Sequence, residues 1–220
     1  MKKTALIVLM IIIVLLVGYQ KVRTSVPYVA KKPPGVTSKT QTVVATSPYS
    51  YPISNYLSRL TVRGFGQLVK PGDEKALACG SPFGGYHTGD DLETTMSEAN
   101  ALVPVKAIAD GVVREAAYVS GYGGLVVIQH NLNGLVVTAY YGHLNIASVK
   151  YKVGDTIKDG AVIGDLGEGC TQQTDYERKH LHFAIHLGTA IDVRGYVPTL
   201  AALSAWIDPE KELSSLKAVQ

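Results

Sequence analysis

The chain has 220 residues, 46% apolar and 18% charged, which is ample material for a packed core and excludes disorder along the whole length. Its net charge of +3 conceals an asymmetry: residues 1 to 72 hold ten Lys or Arg and no acid, whereas the rest holds eleven bases and eighteen acids. The body is therefore mildly acidic, and the overall basic balance gives no reason to expect a nucleic-acid partner. Two cysteines, Cys79 and Cys170, exclude a disulfide-dense scaffold and a four-thiolate zinc site.

Lys2 and Lys3 precede an uncharged apolar run from Ala5 to Val17 that ends at Gly18 and Tyr19. Bases followed by such a run predict an export signal. The run is short for a spanning helix, which needs about 20 residues, and the cleavage pattern at Leu16-Val17-Gly18 is poor. Residues 1–19 are thus a signal anchor or a cleaved signal peptide. Either places the body outside the cytoplasm, anchored at the inner or cell membrane or secreted. Residues 20–57, with Pro27, Pro33, Pro34, Pro48 and Pro52 among Ser, Thr and Lys, read as a basic tether.

From about residue 60, Gly, Asn and Asp punctuate short runs rich in Val and Ile. Strands are predicted over 101 to 108, 111 to 119, 124 to 130, 134 to 141, 161 to 164 and 180 to 187. Their spacing indicates a mainly β fold of antiparallel sheets with few short helices, one of them within 197 to 206. Asn133-Gly134 suits the positive φ values of a tight hairpin turn. Along His180-Leu-His-Phe-Ala-Ile-His-Leu187, a period of two puts His180, His182, Ala184 and His186 on one face and Leu181, Phe183, Ile185 and Leu187 on the other. One face is built to be buried, and the other offers three imidazoles. His180 and His182 stand about 7 Å apart along the strand, within reach of one site, and His186 lies about 13 Å from His182.

Two further segments carry chemistry. Tyr86-His-Thr-Gly-Asp-Asp-Leu92 places a His and an Asp four apart around a glycine, able to turn an imidazole and a carboxylate toward one cation, with a third ligand from a distant strand. Ala139-Tyr-Tyr-Gly-His-Leu144 ends a predicted strand on His143. No HExxH segment occurs, which excludes the helical zinc-peptidase arrangement with its Glu base.

Taken in order, HTGDD, YGHL and HLHF resemble the three active-site segments of the lysostaphin-type, or LytM-like, zinc endopeptidases, and AIADGVV, GYGGLVVIQH and VGDTIKDGAVIGDLG are similar to the family's successive strands and turns. The resemblance runs from about Arg63 to Pro209. It implies a barrel-sandwich-like arrangement of sheets (a duplicated hybrid motif), with the peptidase domain at 58–210 and a C-terminal tail at 211–220. It further implies that His87, Asp91 and His182 bind one zinc per domain, and that His143 and His180 are catalytic beside the attacking water, with their individual roles open. The His-x-Gly-x-Asp register selects Asp91 over its neighbour Asp90. The implied function is hydrolysis of peptide cross-links or bridges of peptidoglycan, with peptidoglycan peptides as substrate and the membrane as partner of the N-terminal segment. The alternative is a non-catalytic wall-binding relative or amidase activator. A biotinyl or lipoyl carrier, whose turns are similar, lacks its lysine setting here.

The segment Thr174–Lys179 departs from the family's short approach to the His-x-His strand, and Ala184 stands where an acid is frequent. Tyr86, Tyr140 and Tyr141 are read as packing residues, with a phenol for the oxyanion as the other reading. Cys79 and Cys170 precede His87 and His180 by eight and ten residues, so they could pair at the cleft rim in an oxidising compartment or remain two thiols. His130 reads as a turn or core-edge residue.

Overall fold

A computed structural model describes residues 49–71, 79 and 83–218. The expected signal segment 1–19 and the tether as far as residue 48 lie outside the described residues. Within them no helix is long and apolar enough to cross a membrane. The strands are β1 (Leu68–Val69), β2 (Gly85–His87), β3 (Gly89–Glu93), β4 (Pro104–Lys106), β5 (Gly111–Val119), β6 (Gly123–Leu132), β7 (Leu135–Leu144), β8 (Thr156–Ile157), β9 (Val162–Asp165), β10 (His180–Leu187), β11 (Tyr196–Val197) and β12 (Trp206–Ile207). The helices are α1 (Tyr56–Arg59), α2 (Leu200–Leu203) and α3 (Pro209–Ala218). The fold is mainly β and antiparallel, as the strand spacing predicts.

The main sheet runs β12-β10-β7-β6-β5-β8, and β3 lies beside β12 on the same edge of β10. A second sheet, β1-β2-β11, covers one of its faces, and the β4-β9 pair stands apart. The β6–β7 hairpin turns on Asn133 and Gly134, with φ of 51° and 94° respectively, and Leu132 pairs directly with Leu135. Positive φ at both positions matches the right-handed twist of the flanking strands, which explains the Asn-Gly pair.

Residues of alternate parity along β10 enter different cores. Leu181, Phe183 and Ile185 join the larger cluster with Val126, Ile128, Ala139 and Tyr141, whereas Ala184 packs with Tyr122, Leu125, Val127, Tyr140, Val197 and Trp206. The face that offers the three imidazoles is buried as well. The reason is that β10 is interior to the sheet and the second sheet lies over it, a position no single-strand pattern reveals.

Two boundaries shift. The tether was expected to reach residue 57, yet Tyr49, Ile53 and Tyr56 are buried, and the Tyr51 and Tyr56 rings stack at 5.0 Å. The expected tail at 211–220 begins within α3, whose Leu213 and Leu216 are buried in the larger core. Lys217 Nζ ties the two ends by donating to Tyr49 O at 2.9 Å. Aromatic and leucine side chains in these segments gain on the order of 2 kcal/mol each by leaving water, which outweighs the turn signals around them.

Candidate metal centre

Neighbouring strands bring the three motifs together. Asp91 on β3 pairs directly with His182 on β10, and His182 pairs on its other side with Gly142 on β7. His87 on β2 pairs with Tyr196 on β11. Gly89 is required where β3 meets β10, because a Cβ there would run into the Phe183 carbonyl. Gly142 and His143 together oppose the single Leu125 of β6, a bulge in the β6–β7 ladder. His143 takes φ 62°, a left-handed conformation that side chains other than glycine seldom adopt. A bulge redirects a side chain, and here it brings the His143 ring to 4.3 Å from that of His180, centre to centre.

His87 Nε2, Asp91 Oδ1 and His182 Nδ1 converge. The two nitrogens are 3.0 Å apart, and they lie 3.2 and 3.1 Å from the oxygen. Bonds of 2.0–2.1 Å to a tetrahedral cation put its ligand atoms about 3.3 Å apart, so the three atoms fit three corners around one zinc-sized ion. The protons agree with this fit. His87 Nδ1 lies 3.3 Å from Gly64 O, a pure acceptor, which leaves the Nε2 lone pair facing the cluster. His182 Nε2 has no hydrogen-bond partner among the described residues, and neither does His143 Nδ1. Two neutral imidazoles and a carboxylate are also a donor set that suits zinc.

Burial pushes the Asp91 carboxyl up, but His87, His180 and His182 more than reverse this and hold it well below the usual carboxylate range. Burial lowers His182 to about 4, and burial with the adjacent His180 and His182 drives His143 down as well. Neutral imidazoles facing an ionised carboxylate are the state a cation needs. The two oxygens of Asp91 face different partners. Oδ1 faces the imidazoles, including His180 Nε2 at 3.4 Å, while Oδ2 lies 2.9 Å from Arg178 Nη2 and 3.4 Å from Arg63 Nη1. His180 Nδ1 donates to Arg178 O at 2.9 Å, which keeps the Nε2 lone pair turned inward.

All five residues singled out in the motifs thus lie in one buried cluster. Asp90 points elsewhere, accepting from Tyr56 Oη at 2.6 Å and from Phe65 N at 2.9 Å, with its carboxyl raised by burial. Tyr141 Oη accepts from Ile108 N and meets His130 Nε2 at 3.2 Å, and Tyr140 Oη accepts from Asp192 N at 2.7 Å, so both are packing residues. His186 packs edge-on to Trp206 at 4.8 Å, away from the cluster. Cys79 and Cys170 form a disulfide with Cα atoms 5.6 Å apart.

Several side chains at the site escaped the sequence reading. The ring of Tyr122 stands edge-on to His182 at 5.3 Å, and Tyr196 lies 5.3 Å from His87. Both line a cavity of about 250 Å³ together with Phe83, Gly84, Gly121 and Gly195. Glu177 is buried, and its carboxylate falls within 4.8 Å of ring nitrogens of His143 and His180. Arg178 Nη1, 3.7 Å from Glu177, meets that charge. The one sequence signal for Glu177 and Arg178 was the unusual segment before His180.

Fold and cluster define a class: a mainly antiparallel β protein with a His, Asp and His set of metal-ligand geometry beside a buried pair of histidines. The sequence model of peptidase family M23 matches residues 85–193, and the chain belongs to this family of LytM-like peptidases. An uncharacterized protein of Haemophilus influenzae is 37% identical over 100 residues, covering 45% of this chain. The chain spans about a fifth of that relative's length, 22%. Among solved structures, LytU is similar at 24% identity and TM-score 0.48, over 71% of this chain and 85% of that one. The cbpa protein of L. salivarius REN is similar at 23% and 0.46, over 79% and 99%. A complex of SpoIIIAH and SpoIIQ contains a chain similar at 20% and 0.49, over 74% and 98%.

Proposed function

We propose that this protein is an exported, zinc-dependent endopeptidase that hydrolyses peptide cross-links or bridges of peptidoglycan. The observation that carries the reading is the convergence of His87 Nε2, Asp91 Oδ1 and His182 Nδ1 to within 3.0–3.2 Å of one another. Membership of a peptidase family supports it, and the basic and apolar segment 1–19 supports export. Zinc held by these three residues would polarise the scissile carbonyl and lower the pKa of a water toward about 7.

The chain's own groups then handle protons and substrate. His180, with its proton fixed on Nδ1 by the Arg178 carbonyl, presents Nε2 as an acceptor for the proton of the attacking water. That proton passes to the leaving amine as the C–N bond breaks, and His143, against the His180 ring, serves the same transfer. The cavity walled by Tyr122, Tyr196 and three glycines receives a small residue of the peptide next to the cut bond. The alternative of a wall-binding protein or amidase activator shares the fold, but it gives no role to five intact side chains in one cluster. Mass spectrometry of peptidoglycan fragments after incubation with the zinc-loaded full chain tests the reading and identifies the bond. Intact cross-links together with zinc-loaded protein would overturn it, and stimulation of an added amidase by His87→Ala would favour the alternative.

A further inference from the structure

We propose that Arg178 is a positioning residue of the metal centre. Its guanidinium occupies the outer oxygen of Asp91 so that Oδ1 alone faces the imidazoles, and its carbonyl sets the proton of His180. This rests on the reading of His87, Asp91 and His182 as metal ligands.

A carboxylate offers two equivalent oxygens and turns about one bond. Left alone, Asp91 could present either oxygen, or both, to a cation. Arg178 Nη2 lies 2.9 Å from Oδ2, a charge-assisted hydrogen bond that a rotation of the carboxylate would break. The guanidinium is itself clamped: Nη2 donates to Glu93 Oε1 at 2.6 Å, and Nε lies 3.1 and 3.0 Å from the two Glu93 oxygens. Glu93 stands two residues from Asp91 on β3, so both side chains leave the same face of the strand. Two carboxylates so placed repel one another unless a cation bridges them, and Arg178 bridges them with only 10% of its side chain exposed. A planar fork can serve two carboxylates at once, which an ammonium does less well.

The backbone around Arg178 is fixed from the other side. Glu177 O accepts from Cys170 N and from Thr174 Oγ1, each at 2.7 Å, and Cys170 is held by the disulfide to Cys79. Arg178 O, in turn, accepts from His180 Nδ1 at 2.9 Å. One residue therefore orients a metal ligand with its side chain and a proton-transfer group with its main chain.

The sign of the effect separates orientation from charge. Deleting a cation beside a cation site strengthens metal binding if only Coulomb repulsion acts. Loss of orientation weakens it, typically 10–100-fold for a partner that holds a ligand in place. The test is the zinc dissociation constant of the purified full chain, measured by competition with a chelator, for wild type, Arg178→Ala, Arg178→Lys and Glu93→Gln, alongside thermal melts of the metal-free proteins. Zinc affinity should fall about 10–100-fold in Arg178→Ala. Arg178→Lys, which keeps the charge and loses the fork, should be intermediate, and Glu93→Gln should show the smallest loss. A folded Arg178→Ala chain with wild-type or tighter zinc binding overturns the proposal, even if it melts earlier. Should that variant not fold, wild-type affinity in both Arg178→Lys and Glu93→Gln overturns it. Absence of zinc binding in the wild type would overturn the metal reading and this proposal together, whereas a zinc-binding wild type with unaffected variants removes Arg178 alone.

Discussion

On one face of β10, Leu181, Phe183 and Ile185 are fully buried; on the other, His180, His182 and His186 are buried to 1%, 4% and 8% exposure. The two faces are almost equally removed from water, but for different physical reasons. The apolar side chains are there because hydrocarbon contact is favourable, and each adds to stability. The imidazoles lose hydration and recover it only through a few polar partners, and two of the ring nitrogens at the site recover nothing from the described residues. A face that forgoes stability while keeping a convergent set of lone pairs is the pattern of a functional site held within a fold that the other face stabilises.

Substitutions that exchange the roles of these faces test the contrast. The largest effect is expected from His182→Ala, which should lower peptidoglycan hydrolysis on the order of 10⁴-fold, over ~5 kcal/mol of barrier, and abolish tight zinc binding while the metal-free chain still folds. Zinc content and a single-turnover assay measure this. Phe183→Ala, one residue further on the opposite face, should instead cost about 3–5 kcal/mol of unfolding free energy in a denaturant titration, since Phe183 is fully buried against Tyr56 and Tyr141. An equal stability loss in both variants would erase the distinction between the faces.

His130 extends the contrast to an imidazole that belongs to the hydrocarbon side. Its Nδ1 donates to Asp110 O at 3.0 Å and its Nε2 meets Tyr141 Oη, and burial lowers its pKa from 6.5 to about 4. Between those pH values the unfolded chain carries a proton that the folded chain does not, so stability is retained above pH 6.5 and falls as pH drops toward 4, by on the order of 3 kcal/mol. Acid titration of His130→Gln beside the wild type should remove that part of the slope. The smallest effect is expected at Tyr122, whose buried hydroxyl has no partner among the described residues and whose phenol is pushed up by burial. Tyr122→Phe should change stability by less than about 1 kcal/mol, because no hydrogen bond is lost. A larger drop in a thermal melt would mean that the hydroxyl is satisfied in solution.

Much of the fold was legible locally. Strands were predicted at 111 to 119 and 180 to 187 and are found at those positions, and Asn133-Gly134 makes its turn, because alternation and turn chemistry are properties of adjacent residues. The two-residue strand β8 and the strands β2 and β3 around the His-x-Gly-x-Asp segment were not predicted, since their existence depends on partners far away in the chain: β5 for β8, β11 for β2 and β10 for β3. His143 was placed at a strand end, but the bulge that turns it toward His180 requires knowing that two residues of β7 face one of β6. Tyr49 to Tyr56 and Leu213 to Leu216 looked like tether and tail because their neighbours are polar or turn-forming. Their burial follows from a core surface that only the assembled sheet presents.

The order and type of the five motif residues, the antiparallel character of the fold and the basic leader on an acidic body were determined by the sequence itself, because residue type and short-range spacing set them. Tertiary structure alone decided which oxygen of Asp91 faces the imidazoles, that Arg178, itself clamped by Glu93, meets the other, that Tyr122 and Tyr196 flank the cluster, and that both faces of β10 are covered. These depend on register between distant strands, which is set by the packing of both cores together and not by any window of the chain.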